Sequence, residues 1–289
     1  MNARLSVAER DCLRYLGLYH VLGATEFMLA DRCGRAKASQ AFQCFEKGLI
    51  DRAWMPRERT TDQAMRGLRR GPQEEVFKLT KAGLKRGQRE GLIAEDAKVT
   101  GQAWNGRDAP PDIRHRLLIV RMMIEIRNAL EGDKERFLTS MIPDFIFSKR
   151  RKATTDKVKD GKEIKPDLVF EIERLDGSSS TMFFVEIQNT RLQASSRCKS
   201  RPTVATKLAL YQEYLKNPKR KFSGAKQSIV LYCAAEEKGW FDQIVPAVPW
   251  DDVGEVRKLV RLSTFEDIAG DVFGNVWVDS EGERRRIFG

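Results

Sequence analysis

The stretch that decides the fold is Lys165–Thr190, which reads KPDLVFEIERLDGSSSTMFFVEIQNT. Apolar residues recur at every second position from Leu168 to Ile172, and again from Phe183 to Ile187. Alternation of this kind is typical of strands with one buried face, and the polar residues between the two runs indicate a tight turn. The stretch therefore predicts a β-hairpin.

Period-two counting brings polar side chains together at one end of this hairpin. If the turn is centred between positions 177 and 178, Asp167 lies opposite Gln188, with Glu186 as its diagonal neighbour on the same face. A slip of two residues places Asp167 opposite Glu186 and keeps all three on that face, whereas a slip of one separates them. Carboxylate and amide oxygens suit Mg²⁺, which commonly takes one or two carboxylates and completes its shell with water and phosphate. Asp167 and Glu186 are therefore the predicted metal ligands.

Pro166-Asp167, followed one hairpin later by Glu186-x-Gln188, resembles the motif of the PD-(D/E)xK nuclease superfamily. The resemblance implies a restriction-endonuclease-like α/β domain, Mg²⁺ or Mn²⁺ as cofactor, and catalytic positions at Asp167, Glu186 and Gln188. Gln188 stands where the motif has lysine, and an amide cannot carry the positive charge of lysine. Some members of the superfamily supply the lysine from the following helix, which makes Lys207 the candidate substitute. A solvated helix lysine is the alternative interpretation of Lys207.

The elements predicted around the hairpin follow the core order of that superfamily. An apolar helix is predicted from Ile113 to Leu130 and a short strand from Met141 to Phe147. After the hairpin, the pattern predicts a helix from Val204 to Leu215 and a strand from Ser228 to Cys233. Helix, three strands, helix and strand is the order in which these nucleases build their core.

Two further acids compete for a place in the predicted site. Glu125 lies in the helix from which many of these enzymes take an extra acid, but a pair with Arg121 one turn earlier explains the same residue and is preferred. Pro143-Asp144 is a second Pro-Asp. No acid-x-Lys or acid-x-Gln follows it one hairpin later, so the sequence favours Asp167 over Asp144.

The first hundred residues predict a winged helix-turn-helix domain. Periodicity and end signals predict three helices and then two strands, at Val7–Leu18, Glu26–Arg32, Lys37–Lys47, Leu49–Trp54 and Glu75–Leu79. Ser6 and Glu9 have the spacing of a capping box at the start of the first helix. The Leu-Thr-x-x-Gly sequence from Leu79 to Gly83 resembles the junction between wing and helix in many bacterial winged-helix regulators.

The third helix and the segment between the two strands carry the residues predicted to bind double-stranded DNA. Small and amide side chains on the outer face of a third helix suit insertion into the major groove. The segment between the strands is rich in arginine, and a second basic run begins at position 149. The predicted contacts are Lys37, Ser39, Gln40, Gln43, Lys47, Arg57, Arg59, Arg66, Arg69, Arg70, Lys149, Arg150 and Arg151. A domain that mediates only protein contacts is the alternative.

Composition favours a polyanionic partner. The chain has 289 residues and a formal net charge of +11, and its hydrophobic content of 41% is enough for packed cores. Five cysteines without CxxC spacing and two histidines argue against a zinc site or a disulfide framework. An early charged N-terminus and the lack of any long apolar run predict no membrane association and a cytoplasmic location. The resemblance of Leu79–Gly83 to bacterial winged-helix regulators implies that this is the cytoplasm of a bacterium.

The whole arrangement predicts a winged-helix domain at 1–98, a linker at 99–112 and a nuclease-like domain at 113–289. With a helix carrying Lys207 and Tyr211, this order resembles the replication-relaxation family of plasmid and integrative-element proteins, over roughly Leu5 to Ala235. The resemblance implies a DNA-binding accessory role in mobilisation or replication, beside a relaxase or another mobilisation protein, with a nuclease-like domain that cuts weakly or not at all. Two alternatives stay open: an active Mg²⁺-dependent endonuclease, and an effector-responsive transcriptional regulator. The sequence does not fix the oligomeric state.

Overall fold

The structure is a computed structural model of the 289-residue chain. It describes residues 4–31, 38–55, 75–97, 104, 110, 112–148, 151–158, 161–188, 204–235, 245–246 and 248–288. The chain divides into two compact units, residues 1–124 and 125–289. The linker predicted at 99–112 lies largely outside the described residues, so that boundary stays a prediction.

The first unit combines short helices with a three-stranded sheet. Its elements in chain order are α1 (Val7–Tyr19), β1 (Val21–Gly23), α2 (Ala24–Ala30), α3 (Ala38–Glu46), β2 (Ile50–Trp54), β3 (Glu75–Leu79) and α4 (Lys81–Arg89). Strand β3 lies between β1 and β2 and is antiparallel to both. The sequence did not predict β1, because three residues are too few to establish a period.

The helix ends in this unit follow from local hydrogen bonds. The capping box predicted for α1 is confirmed: Glu9 N donates to Ser6 Oγ at 3.3 Å, and Ser6 N donates to the Glu9 carboxylate at 2.8 Å. Helix α2 begins earlier than predicted, because the carboxylate of Glu26 accepts a hydrogen bond from Gly23 N at 3.0 Å. Gly48 follows α3 with a φ of +68°, a backbone conformation that glycine adopts without strain.

The Leu-Thr-x-x-Gly sequence has a packing reason in this unit. The Thr80 hydroxyl accepts a hydrogen bond from Gly83 N at 3.0 Å. It donates a hydrogen bond to the backbone oxygen of Leu49, also at 3.0 Å. A Cβ at Gly83 would lie 1.8 Å from that same oxygen. Glycine is therefore required where the first turn of α4 approaches the start of β2.

The second unit is built on a mixed seven-stranded sheet, which gives an α/β architecture. Its strands are β4 (Arg136–Pro143), β9 (Leu168–Arg174), β10 (Ser180–Gln188), β11 (Gln227–Ala234), β12 (Val260–Thr264), β13 (Trp277–Val278) and β14 (Arg284–Arg285). They lie in the sheet in the order β14-β13-β12-β11-β10-β9-β4. β10, β11 and β12 are mutually parallel, and every other pair is antiparallel.

Helices and short ladders complete this part of the chain. The helices are α5 (Ile113–Leu130), whose first two thirds belong to the first unit, α6 (Val204–Lys216), α7 (Trp250–Val253) and α8 (Phe265–Ile268). Two small ladders occupy the connection between β4 and β9: β5 (Phe147–Ser148) with β6 (Arg151–Lys152), and β7 (Asp156–Lys157) with β8 (Glu163–Ile164). Among the residues that the structure describes, no helix has both the length and the apolar character needed to cross a bilayer.

One predicted strand is displaced. The sequence placed it at Met141–Phe147, but β4 begins at Arg136, where it pairs with Arg174 of β9. A turn after Pro143 ends it, because Ile146 N donates to the Pro143 carbonyl at 3.2 Å. Arg136 at the start of β4 interrupts the apolar pattern by which the strand was predicted. The strand still forms there, because β4 is an edge strand and edge strands carry charged residues.

The alternation in β9 and β10 separates two buried faces. On one face, Phe170 and Phe183 stack with their ring centroids 4.5 Å apart. On the other face, the ring of Phe184 packs against Tyr211 and Tyr214 of α6, with centroids 5.7 and 5.6 Å away. Burying each of these side chains contributes about 1.5–3 kcal/mol relative to exposure. The α6 face is also the face on which Glu186 lies, since residues two apart in a strand point the same way.

Candidate functional site

The hairpin register brings Asp167 opposite Glu186. Strand pairing runs from Ser180 opposite Glu173 to Val185 opposite Leu168, and one further step pairs positions 167 and 186. The primary expectation, Asp167 opposite Gln188, is therefore wrong, and the alternative with a slip of two residues is confirmed.

The turn explains this register. It is centred between Asp176 and Gly177, one residue earlier than predicted. Gly177 has a φ of +67°, which favours glycine, and the Asp176 carboxylate accepts a hydrogen bond from Ser178 N at 2.9 Å. Moving the centre of a hairpin by one residue shifts the partner of every position by two, so the face of each residue is preserved.

Asp167 is fixed at the mouth of the hairpin by backbone contacts. Its N–H donates to the Val185 carbonyl at 2.9 Å, and its Oδ2 accepts a hydrogen bond from Ile187 N at 2.7 Å. The carboxylate thus accepts a hydrogen bond from a backbone N–H just beyond the last residue pair of the ladder. Asp167 is half-buried, so this end of the hairpin opens towards solvent.

Glu186 is buried, with 3% of its surface exposed, and α6 supplies two donors to its carboxylate. The Tyr211 hydroxyl donates to Oε1 at 2.8 Å, and the Lys207 ammonium donates to Oε2. Positions 207 and 211 are one turn apart on the helix, so both side chains reach the same carboxylate. The solvated alternative for Lys207 does not hold, because its ammonium is in this ion pair.

The electrostatics of the pair follow from burial and from neighbouring charges. Burial raises the pKa of Glu186 to about 7; Lys207 opposes this rise, and the nearby Asp167 carboxylate adds to it. For Lys207, burial alone lowers the pKa of the ammonium, but Glu186 and Asp167 outweigh burial and the net shift is upward. Lys207 is therefore a cation at neutral pH.

Tyr232 is the site residue that the sequence missed altogether. It lies in β11, paired with Glu186 of the parallel strand β10, and 2% of its surface is exposed. Within the described part of the chain, its hydroxyl has no hydrogen-bond partner. Burial, and then the charges of Glu186 and Asp167, raise the pKa of this phenol well above its usual range. An apolar strand pattern contains no signal that distinguishes this tyrosine from a core tyrosine.

Asp144, which the sequence ranked below Asp167, lies beside it. Asp144 N donates to the Asp167 carbonyl at 2.8 Å, and a carboxylate oxygen of each residue lies within 4.8 Å of the other. Asp144 is 5% exposed, and its carboxylate accepts a hydrogen bond from the Lys152 ammonium. These acidic side chains can hold a metal ion. The repeated Pro-Asp was the sequence signal for this contact between Asp144 and Asp167, because each aspartate flanks a strand of the same antiparallel pair.

Gln188 and Glu125, two other predicted site candidates, lie among the described residues of the second unit. Gln188 ends β10 opposite Ala234 and is half-buried. Glu125 is buried, and its carboxylate accepts a hydrogen bond from Gly270 N at 3.1 Å. That contact connects α5 to the segment after α8.

A second group of acids lies near the end of the chain. Single carboxylate oxygens of Asp279, Glu281 and Glu283 approach one another within 4.8 Å. The Asp279 carboxylate already accepts hydrogen bonds from the backbone N–H groups of Glu281 and Glu283 and from the Arg285 side chain. The group therefore shapes the turn between β13 and β14.

The members of the predicted DNA-binding set that are described in the first unit lie in α3 or directly after it. Gln43 is exposed on α3. Lys47 forms an ion pair with the buried Glu9 of α1. Burial alone would raise the pKa of Glu9, but hydrogen bonds from Lys47 and Ser6 outweigh it and lower that pKa. Lys47 therefore also connects α3 to α1.

The rest of that set is described in part or not at all. Ser39 and Gln40 lie in α3, and Arg151 pairs with Ser148 in the β5–β6 ladder. Outside the described residues lie Lys37, Arg57, Arg59, Arg66, Arg69, Arg70, Lys149 and Arg150. Their contacts with DNA stay predictions.

Comparisons with known proteins identify no relative. No protein-family model matches the chain, and no curated protein or solved structure is significantly similar to it. The resemblances to the PD-(D/E)xK superfamily and to the replication-relaxation family therefore rest on the motifs and their order alone.

Proposed function

We propose that this protein is a DNA-binding endonuclease that depends on Mg²⁺ or Mn²⁺. The observation that carries the proposal is the ion pair between Lys207 and Glu186, next to Asp167. The Pro-Asp…Glu-x-Gln motif lacks its lysine, and α6 supplies a lysine to the same carboxylate. In this proposal Asp167, Glu186 and Lys207 take the roles of the three charged groups of a PD-(D/E)xK site, and only the lysine comes from a different sequence position.

The residues fit a hard divalent cation. Asp167 and Glu186 would hold it, because they are carboxylates at one end of the hairpin and lie close enough for the charge of Asp167 to act on Glu186. A bound Mg²⁺ or Mn²⁺ would polarise a phosphate oxygen and lower the pKa of a coordinated water. Lys207 would stabilise negative charge that develops on the phosphate, and Tyr211 fixes the orientation of the Glu186 carboxylate.

The fold of the first unit supports DNA as the substrate. Its element order, three helices with a short strand after the first and then a strand pair and a helix, is the order expected of a winged helix-turn-helix and supports the proposal. In this interpretation α3 enters the major groove, with the exposed Gln43 available to a base edge. The net charge of +11 supplies the electrostatic attraction to phosphates.

A second candidate is a DNA-binding accessory protein of plasmid mobilisation or replication that does not cut. The specific observation in its favour is that lysine ammonium groups already neutralise two of the carboxylates: Lys207 that of Glu186, and Lys152 that of Asp144. Lysines placed in this way stabilise buried acids without any metal. A relaxase or other mobilisation protein would then be the partner.

A nicking assay on supercoiled plasmid separates the two candidates. The plasmid should carry the DNA that flanks the protein's own gene, and the reaction should contain Mg²⁺ or Mn²⁺. The endonuclease gives relaxed or linear DNA that disappears with Asp167→Asn, whereas the accessory protein gives a footprint and intact plasmid. Cutting that survives Asp167→Asn contradicts the proposed site.

A further inference from the structure

Strand pairing brings the two Pro-Asp sequences of this chain together. Pro143, the last residue of β4, lies opposite Leu168, the first residue of β9. The aspartates next to them are therefore neighbours, and the backbone hydrogen bond from Asp144 N to the Asp167 carbonyl, 2.8 Å long, fixes their separation. Their carboxylate oxygens come within 4.8 Å of each other.

Two carboxylates at this distance repel each other, and Asp144 is the buried member of the pair. The charge that compensates Asp144 comes from Lys152 at the end of β6. The Asp144 side chain is 8% exposed, whereas 45% of the Lys152 side chain is exposed. A lysine with this much contact with water recovers most of its hydration when it leaves the carboxylate, so the pair is easily exchanged for another cation.

The buried phenol of Tyr232 is a polar group close to the Asp167 and Glu186 carboxylates, because the charges of both act on it. This hydroxyl is buried beside Glu186 and lacks a hydrogen-bond partner among the described residues. A buried donor without a partner destabilises the folded state. A water or phosphate oxygen bound to a divalent cation would satisfy it, and Mg²⁺ characteristically keeps such waters.

We infer that Asp144 is a third carboxylate ligand for a hard divalent cation, and that Lys152 is the resident cation which the metal replaces. The inference deepens the proposed function and rests on the same metal site. It assigns to Lys152 a role opposite to that of Lys207: Lys207 stays with Glu186 when the metal is bound, whereas Lys152 competes with the metal.

The test is titration calorimetry with MnCl₂ alone, without DNA, on the full-length chain. Lys152→Met should bind Mn²⁺ about tenfold more tightly than the wild type, because the competing charge is gone. Asp144→Asn should bind about tenfold more weakly. In the double variant the gain from Lys152→Met should vanish, since its target carboxylate is absent. Lys165→Met, at an exposed lysine that pairs with Glu163, is the matched control and should bind like the wild type.

Unfolding in urea accompanies each titration. Lys152→Met leaves the Asp144 carboxylate without its cation, so the metal-free variant should be less stable than the wild type, and the double variant should recover that loss. The double variant thus keeps the comparison valid if the single variant folds poorly. Equal Mn²⁺ affinity in Lys152→Met and the wild type, or a gain that persists without the Asp144 carboxylate, overturns the inference.

The outcomes also separate this inference from the proposed function. If Asp167→Asn abolishes Mn²⁺ binding while Asp144→Asn leaves it unchanged, the site of the proposed function stands and the third ligand is wrong. If the wild type shows the predicted pattern of Mn²⁺ affinities but never nicks DNA, the third ligand stands and the endonuclease is wrong.

Discussion

The ammonium group of Lys207 donates a hydrogen bond to the buried carboxylate of Glu186, although the two residues are 21 positions apart in the chain. The hairpin contributes the acid and α6 contributes the cation. A sequence motif counted along one strand cannot contain this pair, since the contact depends on how the helix packs on the sheet. Lys207 therefore supplies from the helix a positive charge that Gln188 on the strand cannot carry.

If the protein cuts DNA as proposed, removing this cation should slow cutting strongly while the protein stays folded. Lys207→Met keeps much of the aliphatic chain, and we expect the nicking rate to fall about 10²–10³-fold, the usual cost of losing a group that stabilises transition-state charge. Lys216→Met, at an exposed lysine in the last turn of the same helix, is the control and should cut normally. Normal cutting by Lys207→Met would show that the lysine serves only the packing of α6.

The two buried tyrosines of α6 should separate stability from function. Tyr211 donates to Glu186, and Tyr214 donates to Asp156, in both cases at 2.8 Å. Changing either to Phe leaves a carboxylate with one donor fewer, that of the buried Glu186 or that of the half-buried Asp156, so each should lower the free energy of unfolding by about 1–3 kcal/mol. Only Tyr211→Phe should slow nicking, because only Tyr211 orients the carboxylate of the site. Equal nicking rates at equal stability would reduce Tyr211 to a core residue.

The pKa of Glu186 predicts the sign of a pH effect on stability. That pKa is raised above its unfolded value, so the protonated form favours the folded state. Its contribution is fully present below the unfolded pKa, near 4.5, and is lost as the pH rises through about 7. In metal-free protein, the stability of Glu186→Gln relative to wild type should therefore increase by up to about 3 kcal/mol from pH 5 to pH 8.

Urea unfolding of wild type and Glu186→Gln across that pH range measures the difference between their free energies of unfolding. Taking this difference cancels the contributions of titrating groups that the two proteins share. Glu213→Gln, at an exposed position of α6, is the control and should show no such trend. A difference between wild type and Glu186→Gln that does not change with pH would mean that the Glu186 carboxylate ionises as freely in the folded protein as in water.

Salt should weaken DNA binding steeply if the arginines between β2 and β3 contact phosphates. With about six phosphates neutralised, the slope of log K against log salt should be about −5. Replacing Arg66, Arg69 and Arg70 together by Ala should flatten it by up to about three. An unchanged slope in filter-binding or anisotropy titrations would place these arginines away from the interface.

The elements with a long or regular pattern could be predicted from the sequence. Helix Ile113–Leu130 has the bounds that its apolar pattern predicted, and the hairpin from Leu168 to Gln188 followed from alternation alone. Its register was wrong by two residues, because the centre of the turn depends on the φ of Gly177. The face of each residue was nevertheless right, since a shift of two preserves it.

The composition of the site could be predicted only in part. Asp167 and Glu186 came from the motif, and Lys207 was named as one of two alternatives. The sequence did not predict that Asp144 lies beside Asp167, because this contact is set by the pairing of β4 with β9, which are joined by a long connection. Tyr232 gave no signal, since its significance lies in the absence of a hydrogen-bond partner for its hydroxyl within the described residues. Contacts between distant segments are not encoded in local spacing.

The metal site at Asp167 and Glu186 is tested by calorimetric titration of the wild type with Mn²⁺, alone and with the DNA that flanks its gene. We expect the wild type to bind Mn²⁺ and Asp167→Asn not to bind it. The metal-free Asp167→Asn protein should be as stable as the wild type or slightly more so, because a like-charge repulsion with Glu186 is relieved. If the wild type shows no Mn²⁺ binding at millimolar concentration, even with DNA present, the metal site on this hairpin is contradicted.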